Sequence, residues 1–183
     1  PGMIGPVITP RAITAQVYLV GQAPGPREGA IGRPFGWTAG KTLFSWFAQI
    51  GVDEETFRSR AWIAAVCRCF PGKAKQGGDR VPNPAEIAAC SRWMEREFSM
   101  LRPTLVIAVG RLAIDQFLPP SPLADMVGRL HRVRRFDHAC DLIALPHPSG
   151  LSAWHKIEPG RSLLARALQE LGNHPSWRAL RGE

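Results

Sequence analysis

Hydrophobic residues in this chain are concentrated in short continuous runs that alternate with segments of helical spacing. Each run is almost entirely apolar and ends near glycine, proline or polar residues, as expected of a buried strand. Strands that are buried on both faces are typical of a parallel sheet covered by helices. The pattern therefore predicts four strands, over residues 16–20, 62–66, 104–109 and 141–145.

Apolar residues in the segments between these runs recur three or four positions apart, as on one face of a helix. Leu43, Phe47 and Ile50 share such a face. Gly51 is suited to end the helix that carries them. Strands alternating with helices indicate the α/β class, here a three-layer α/β/α sandwich with a four-stranded parallel sheet. The helices predicted most clearly are residues 41–50, 85–101, 110–117 and 161–171.

Residues 129–136 differ from the four strands because basic and apolar side chains alternate along them. Such alternation suits an exposed strand or hairpin at the edge of a sheet. Two interpretations of the charges remain open: they protect the edge from pairing with another chain, or they contact DNA. The basic residues are Arg129, His131, Arg132, Arg134 and Arg135.

The length of 183 residues is sufficient for one domain with its own core, and we assign all of residues 1–183 to it. Pro1 and Gly2, which precede Met3, look like the remnant of an expression tag and are left out of the fold assignment. No apolar run approaches the roughly 20 residues of a membrane span, and the residues after Met3 do not resemble a signal peptide. We therefore expect a cytoplasmic protein that does not enter a membrane.

The formal net charge is +8, from 23 Lys and Arg residues against 15 Asp and Glu residues. A basic excess favours polyanionic partners such as nucleic acids. It is also compatible with a soluble basic protein of another kind, so charge alone does not identify the partner. The loops at the strand ends are more informative, because ligands bind beyond the carboxyl ends of the strands in such sheets.

The loop after the first strand, residues 21–36, is rich in glycine and proline. Glycines let the backbone approach a ligand closely, and successive backbone N–H groups can hold a phosphate or a carbonyl oxygen. Glu28 is a candidate to position or activate water, and Phe35 offers a face on which a base can stack. A dinucleotide loop is disfavoured because Gly-x-Gly-x-x-Gly does not follow the strand, and Gly-Lys-Thr at residues 40–42 lacks the rest of a Walker loop.

The loop after the fourth strand, residues 147–155, places the apolar Leu151 among small polar residues. One interpretation is a wedge that enters the DNA base stack while Ser149 and Ser152 contact phosphates. The alternative is a structural loop in which His147 caps the sheet and Leu151 packs inward. For His147 taken alone, the structural alternative is favoured.

Together, the two loops resemble the two signature motifs of the uracil-DNA glycosylase superfamily. Residues 21–25 with Glu28 and residues 32–35 are similar to the first motif of the family 4 branch, which contains an iron–sulfur cluster. Residues 147–152 are similar to the second motif, in its family 1 form. The resemblance extends over roughly residues 17–155 and includes both motifs in the right order.

This resemblance implies an enzyme that flips uracil out of DNA and hydrolyses its N-glycosidic bond, leaving an abasic site without a lyase step. It also implies a monomer that needs no protein partner. By the same resemblance, His147 stabilises the departing uracil, Phe35 stacks on it and Leu151 fills the vacated gap. The implied edge of the base pocket is formed by Gln22, Ala23 and Ala65. The residues implied to contact DNA are Pro24, Gly25, Ser149, Gly150, Leu151 and Ser152.

Two positions depart from the superfamily pattern in ways that affect the chemistry. Ala23 stands where family 1 has its water-activating Asp, so Glu28 is the predicted water-activating group, with Gln22 as a second candidate. Ala65 stands where several branches have an Asn that reads the uracil edge, which leaves the preferred base open. The alternatives are a glycosylase for another deaminated or mismatched base, a module that binds uracil or abasic DNA with weak catalysis, and an enzyme of free nucleosides.

The iron–sulfur cluster of family 4 is not expected in this chain. Family 4 uses four cysteines, of which Cys69 and Cys90 match the later two, and no cysteine precedes Cys67. We therefore predict no cofactor and no metal. A core position is the simpler interpretation of Cys90.

The loop over residues 72–81 is longer than in ordinary family 4 sequences. Its basic residues Lys73, Lys75 and Arg80 are predicted to contact phosphates, and a solvated flexible loop is the alternative. A related branch carries a histidine that traps DNA covalently in an insertion at this place. Covalent trapping is not predicted here, because the loop contains no histidine.

Overall fold

One sheet forms the centre of the protein in the computed structural model, which describes residues 2–183. Pro1, part of the predicted tag remnant, lies outside the described residues. The strands are β1 (Val17–Gly21), β2 (Trp62–Ala65), β3 (Leu105–Val109), β4 (Leu130–Arg135) and β5 (His138–Leu145). Their spatial order is β2-β1-β3-β5-β4. All neighbours pair in parallel except β4, which is antiparallel to β5.

The sheet has five strands, so the predicted number of four was wrong by one. All four predicted apolar runs form strands, and they make up the parallel part of the sheet. The additional strand is β4, within the segment where an edge strand or hairpin was predicted. Val133 on β4 is buried and pairs with Cys140, whereas Arg132 and Arg134 are exposed. A strand with only one buried face lacks the continuous apolar run that identified the other four.

A two-residue turn joins β4 to β5. Phe136 and Asp137 both have positive φ, 48° and 57°, as a tight turn between twisted antiparallel strands requires. The Asp137 side chain is fully exposed. Because Asp137 precedes β5, it lies at the amino end of the parallel strands.

The helices are α1 (Glu28–Ile31), α2 (Thr38–Ala48), α3 (Glu54–Arg60), α4 (Pro84–Leu101), α5 (Arg111–Ile114), α6 (Leu123–Met126), α7 (Gly160–Asn173) and α8 (Pro175–Arg181), with a 3-10 turn at Trp154–Lys156. The predicted helices correspond to α2, α4, α5 and α7. The others that periodicity did not predict have four or seven residues, too few to show a repeat of 3.6. Among residues 2–183 there is no helix with both the length and the apolar character to cross a bilayer.

Helices cover both faces of the sheet, which confirms the three-layer α/β/α sandwich. On one face, Phe47 of α2, Phe57 of α3 and Trp177 of α8 form a buried aromatic cluster with ring centroids 4.8–5.7 Å apart. On the other face, Phe98 of α4 packs edge-on against Tyr18 of β1 with centroids 5.0 Å apart. Tyr18 thus packs α4 against β1, while the aromatic cluster packs α2, α3 and α8 against one another.

A buried ion pair ties α4 to the segment that follows β2. Arg68 donates to the Glu97 carboxylate at 2.6 Å, and the Tyr18 hydroxyl donates to the same carboxylate oxygen. Arg68 is 5% exposed and Glu97 8% exposed. Burial, and then the charge of Glu97, raise the pKa of Tyr18, so its hydroxyl remains a donor. A buried charge is tolerated when it is paired in this way, and the triad fixes the path of the chain beyond β2.

The sheet topology determines where a ligand can bind. From β1 the chain crosses to β2 on one side, and the later strands β3 and β5 lie on the other side. The carboxyl ends of β1 and β3 therefore flank a switch point, where crevices form in open α/β sheets.

Candidate active site

A cavity of about 460 Å³ lies beyond the carboxyl ends of the parallel strands. Its walls come from the loop after β1, the end of β2, the loop after β5 and the long loop before α4. The volume falls in the range typical of sites that hold a small organic group. The wall residues with chemical interest are Gln22, Glu28, Phe35, Ala65, Lys73, Asp79, His147 and Leu151.

The turn that carries Phe35 is held tightly over the end of β1. Phe35 has a positive φ of 52°. Arg58 of α3 donates to the carbonyl oxygens of Pro34 at 3.0 Å and Phe35 at 2.9 Å. A Cβ atom at Gly21 would lie 2.6 Å from the tip of the Phe35 ring, and one at Gly40 would overlap the Phe35 carbonyl. Two glycines and one arginine therefore set the position of the aromatic wall.

Glu28 braces the loop after β1 from within. One carboxylate oxygen accepts the Gly25 backbone N–H at 3.0 Å, and the other accepts the Gly36 backbone N–H at 2.9 Å. The residue is 8% exposed. Burial raises the pKa of Glu28, and the two backbone hydrogen bonds oppose that shift. Both oxygens thus hold the loop together, and the assignment of Glu28 as the water-activating group stays a prediction.

His147 follows β5 and is held in one orientation. The Ser149 backbone N–H donates to its Nδ1 at 3.2 Å, which assigns the ring proton of a neutral imidazole to Nε2. A Cβ atom at Gly110 would lie 3.0 Å from the ring, so this glycine allows the imidazole to pack over the end of β3. Burial lowers the pKa of His147, while the charge of Asp79 opposes that shift. A neutral ring with a free Nε2–H can donate one hydrogen bond into the cavity.

Leu151 stands at the rim of the cavity and is 84% exposed. The interpretation in which Leu151 packs inward is therefore wrong. The residue lies in a turn closed by the Ser152 backbone N–H, which donates to the Ser149 carbonyl at 3.0 Å. An exposed leucine on a tight polar turn has the shape of a wedge.

The loop before α4 closes the cavity on a further side. Lys73 and Asp79 form an antiparallel bridge, and the Lys73 ammonium pairs with the Asp79 carboxylate at 2.6 Å. Arg80 pairs with Glu86 through two hydrogen bonds of 2.8 Å and donates to the Pro71 carbonyl at 2.7 Å. A phosphate contact by Arg80 would have to replace these bonds.

Most of the sequence-predicted site residues meet in this one place. Those that line the cavity are Gln22, Ala23, Pro24, Gly25, Glu28, Phe35, Ala65, Lys73, His147, Ser149, Gly150 and Leu151. The remaining three, Ser152, Lys75 and Arg80, are not part of the lining. The roles assigned to all these residues are proposals, whereas their placement is a property of the fold.

Sequence reasoning missed several residues that shape the site. Asp79 lines the cavity but sits in a loop whose sequence stood out for its basic residues. Trp37 lines the rim and lies under the Arg27 guanidinium, 4.5 Å from the ring centroid. Arg58 acts through carbonyl oxygens that belong to a distant turn. No local pattern could have indicated these contacts.

The cysteines do not supply the four thiolates of an iron–sulfur cluster. Burial, and then the neighbouring Cys90 thiol, raise the pKa of Cys67, and Cys69 is close enough to contribute. Cys140 lies within β5, where burial raises the pKa of its thiol to about 11. Within residues 2–183, no set of three or more His, Cys, Asp or Glu side chains is arranged to hold a metal ion. As arranged in residues 2–183, these donors do not fit a cluster.

The chain is similar in sequence to a known family of proteins. The family model described as "Uracil DNA glycosylase superfamily" matches residues 10–172. A protein named Type-4 uracil-DNA glycosylase from Archaeoglobus fulgidus is 30% identical over 142 residues, which is 75% of this chain and 67% of that protein. A Type-4 enzyme from Pyrobaculum aerophilum is 28% identical over 140 residues, covering 74% of this chain and 67% of the relative. A protein named Type-5 uracil-DNA glycosylase from Thermus thermophilus is 31% identical over 115 residues, 57% of this chain and 50% of that protein.

Replacing Gly40 by Ala tests the packing of the Phe35 turn. The added Cβ would overlap the Phe35 backbone, so we expect the free energy of unfolding to fall by about 1–3 kcal/mol, as in overpacked sites. Gly172→Ala is the matched control, because a Cβ at that helical position would meet Ile50 at an ordinary 3.5 Å. Urea unfolding should show the control to be neutral or slightly more stable. Equal stability of the two variants would contradict the packing argument.

The titration of His147 tests the electrostatics of the cavity. Its lowered pKa predicts a midpoint below the ordinary histidine value of about 6.5. The unfolded chain therefore binds the proton more readily, and the stability associated with the neutral ring is lost as the pH falls below 6.5. An NMR titration of the ring carbon-bound protons, assigned with His147→Gln, gives the midpoint. A value above 6.5 would contradict the burial of this ring.

Proposed function

This chain belongs to the uracil-DNA glycosylase superfamily and is an enzyme of that kind, and we propose that it extrudes uracil from DNA and hydrolyses its N-glycosidic bond. The product would be an abasic site, and the reaction would serve DNA repair. The observation that carries this proposal is the convergence of Phe35, Gln22 and His147 on one cavity with Leu151 exposed at its rim.

The first step is the extrusion of the target nucleotide. The net charge of +8 attracts the protein to DNA. Ser149, Gly150 and Ser152 form the turn that contacts the phosphates, with Pro24 and Gly25 on the facing loop. Rotation of the nucleotide costs a few kcal/mol of unstacking. Leu151 enters the gap and replaces part of the lost contact. The exposed side chain on a tight turn supports this role.

The second step is the recognition of the base inside the cavity. Stacking of the base on Phe35 returns about 1–3 kcal/mol. Gln22 and the backbone of Ala23 lie at the end of β1, where they can meet the polar edge of the base. The hydrogen bonds from Arg58 support this contact because they hold the Phe35 turn in place.

The third step is the cleavage of the glycosidic bond. As the bond lengthens, positive charge develops on the sugar and negative charge on the base. The Nε2–H of a neutral His147 donates to the base oxygen and lowers the barrier by stabilising that charge. A water then attacks the sugar carbon, and Gln22 and a carboxylate of the cavity position it. Glu28 and Asp79 are the two carboxylates among the lining residues.

A second candidate is a glycosylase for another deaminated or mismatched base. Ala65 lies in the cavity wall at the end of β2 and is 8% exposed. Its methyl group cannot form hydrogen bonds to the base, so it permits a base other than uracil. A module that binds damaged DNA with weak catalysis is the further alternative, because Ala23 also lacks a functional side chain. A panel of oligonucleotides, each with one damaged base, compares these functions directly.

Release of uracil from DNA is the direct test of the proposed function. The pure protein is incubated with uracil-containing DNA, and alkali then cleaves the DNA at abasic sites. We expect His147→Ala to reduce turnover by about 100- to 1,000-fold, as removal of such a donor does elsewhere, with DNA binding retained in a gel shift. His147→Gln keeps a donor and should lose less. Normal turnover by His147→Ala would remove this residue from the mechanism.

Replacing Leu151 by Ala tests the wedge. Only paired DNA contains a gap that needs filling, so the rate on duplex DNA should fall more than the rate on the same oligonucleotide unpaired. Met100→Ala is the control, because Met100 is 66% exposed on α4 and does not line the cavity. An equal loss on both substrates would argue against a wedge.

A further inference from the structure

The cavity contains two carboxylates that differ in what their oxygens contact. Among the lining residues within 2–183, only Glu28 and Asp79 are acidic. Both oxygens of Glu28 accept backbone N–H groups of its own loop. Moving Glu28 toward a water would break the brace that shapes the cavity wall. Glu28 is therefore poorly placed to act on a substrate water.

Asp79 has an oxygen available to the cavity. Its Oδ1 accepts from Lys73 at 2.6 Å, whereas its Oδ2 accepts no hydrogen bond from any group in residues 2–183. Oδ2 lies 3.6 Å from the position of a Cβ on Gly25, beside the loop after β1. The Asp79 side chain is 37% exposed, so water reaches it.

The field of Asp79 extends to both functional groups of the cavity. Burial is the main cause of both pKa shifts: it raises the pKa of Glu28 and lowers that of His147. The negative charge of Asp79 raises the pKa of each group. Asp79, Glu28 and His147 also line the same cavity. A negative charge in this cavity would stabilise the positive charge that develops on the sugar of a bound nucleotide.

The loop that carries Asp79 is built to hold it in place. The Ala74 backbone N–H donates to the Gly78 carbonyl at 3.1 Å, and the Arg80 N–H donates to the Gly72 carbonyl at 2.8 Å. Gly72, Gly77 and Gly78 have positive φ, which lets the chain turn back sharply. The ion pair between Arg80 and Glu86 anchors the base of this turn to α4. Asp79 thus projects from a fixed hairpin rather than from an open loop.

We propose that Asp79 is the carboxylate that holds and deprotonates the attacking water in this enzyme. The inference rests on the proposed glycosylase function and names the residue that acts as the general base. Ala23 has no side chain for that role, and Glu28 is hydrogen-bonded to its own loop. As the bond from the sugar carbon to the base nitrogen breaks, its electron pair passes to the base. The water oxygen bonds to the sugar carbon, and one water proton moves to Asp79. That proton then passes to the released base, so the sum of the steps is hydrolysis.

Single-turnover base release with enzyme in saturating excess over uracil-containing DNA tests this proposal, because it separates the chemical step from binding. We expect Asp79→Asn to reduce the rate by about 100- to 10,000-fold, the usual contribution of a general base. Binding of the DNA should be unchanged or tighter, since a negative charge is lost. Added formate should raise the rate of Asp79→Ala by at least about tenfold, because formate returns a carboxylate to the space that the side chain left.

Two control variants separate this role from a structural one. Glu86→Gln weakens the ion pair that anchors the hairpin to α4 but keeps the Asp79 carboxylate, so its saturated rate should stay within about tenfold of wild type, less than the loss of a general base would cost. Asp137→Asn makes the same charge change at the amino end of β5, away from the cavity, and should match wild type. Unfolding temperatures of all variants verify that they fold.

Three results would overturn the proposal. A saturated rate for Asp79→Asn within about fivefold of wild type would show that the carboxylate is not the base, given the contribution expected of one. An equal loss in Glu86→Gln would show that the rate depends on the placement of the hairpin and not on the Asp79 carboxylate itself. A wild-type protein that releases no base from DNA would overturn the proposed function and this inference together. Base release by wild type with the first or second result would leave the function standing and remove Asp79 alone.

Discussion

Arg58 holds the Phe35 turn against the end of β1, and the shape of the cavity follows from that contact. Its guanidinium donates to two successive carbonyls of the turn and pairs with Glu54 at 2.7 Å. The same group lies over the Phe44 ring at 4.6 Å, so α2 and α3 share one anchor. Gly21 and Gly40 complete the arrangement by leaving room for the Phe35 ring and carbonyl. An aromatic wall at this position would otherwise compete with the side chains of β1 and α2.

The chemistry of the cavity depends on which polar groups are free and which are used to build it. Both carboxylate oxygens of Glu28 accept backbone N–H groups. His147 accepts a backbone N–H at Nδ1, which leaves its Nε2–H to donate into the cavity. Burial keeps the imidazole neutral, which suits a donor to a base that becomes negative. Asp79 approaches from a separate hairpin and keeps one oxygen free. Under the proposed mechanism, structural and reactive functions are divided between these two carboxylates.

The cavity is assembled from segments that are remote in sequence because a parallel sheet brings all its carboxyl ends to one edge. The loops after β1 and β5 and the hairpin before α4 meet there, while the antiparallel β4–β5 turn lies at the opposite edge. The buried Arg68–Glu97 pair fixes the chain that leads into the hairpin. The same packed contacts therefore stabilise the sheet and position the loops of the site.

The amino-acid sequence by itself determined the strands, the longer helices and the two loops that carry Phe35 and His147. These elements follow from local patterns, namely apolar runs, helical periodicity and turn residues, so they can be predicted without knowledge of the fold. Only the tertiary structure decided that Glu28 braces its loop, that Arg80 pairs with Glu86 and that Asp79 reaches the cavity. It also added β4 to the sheet. These outcomes depend on which distant groups the chain path brings within hydrogen-bonding distance, and no local pattern records that path.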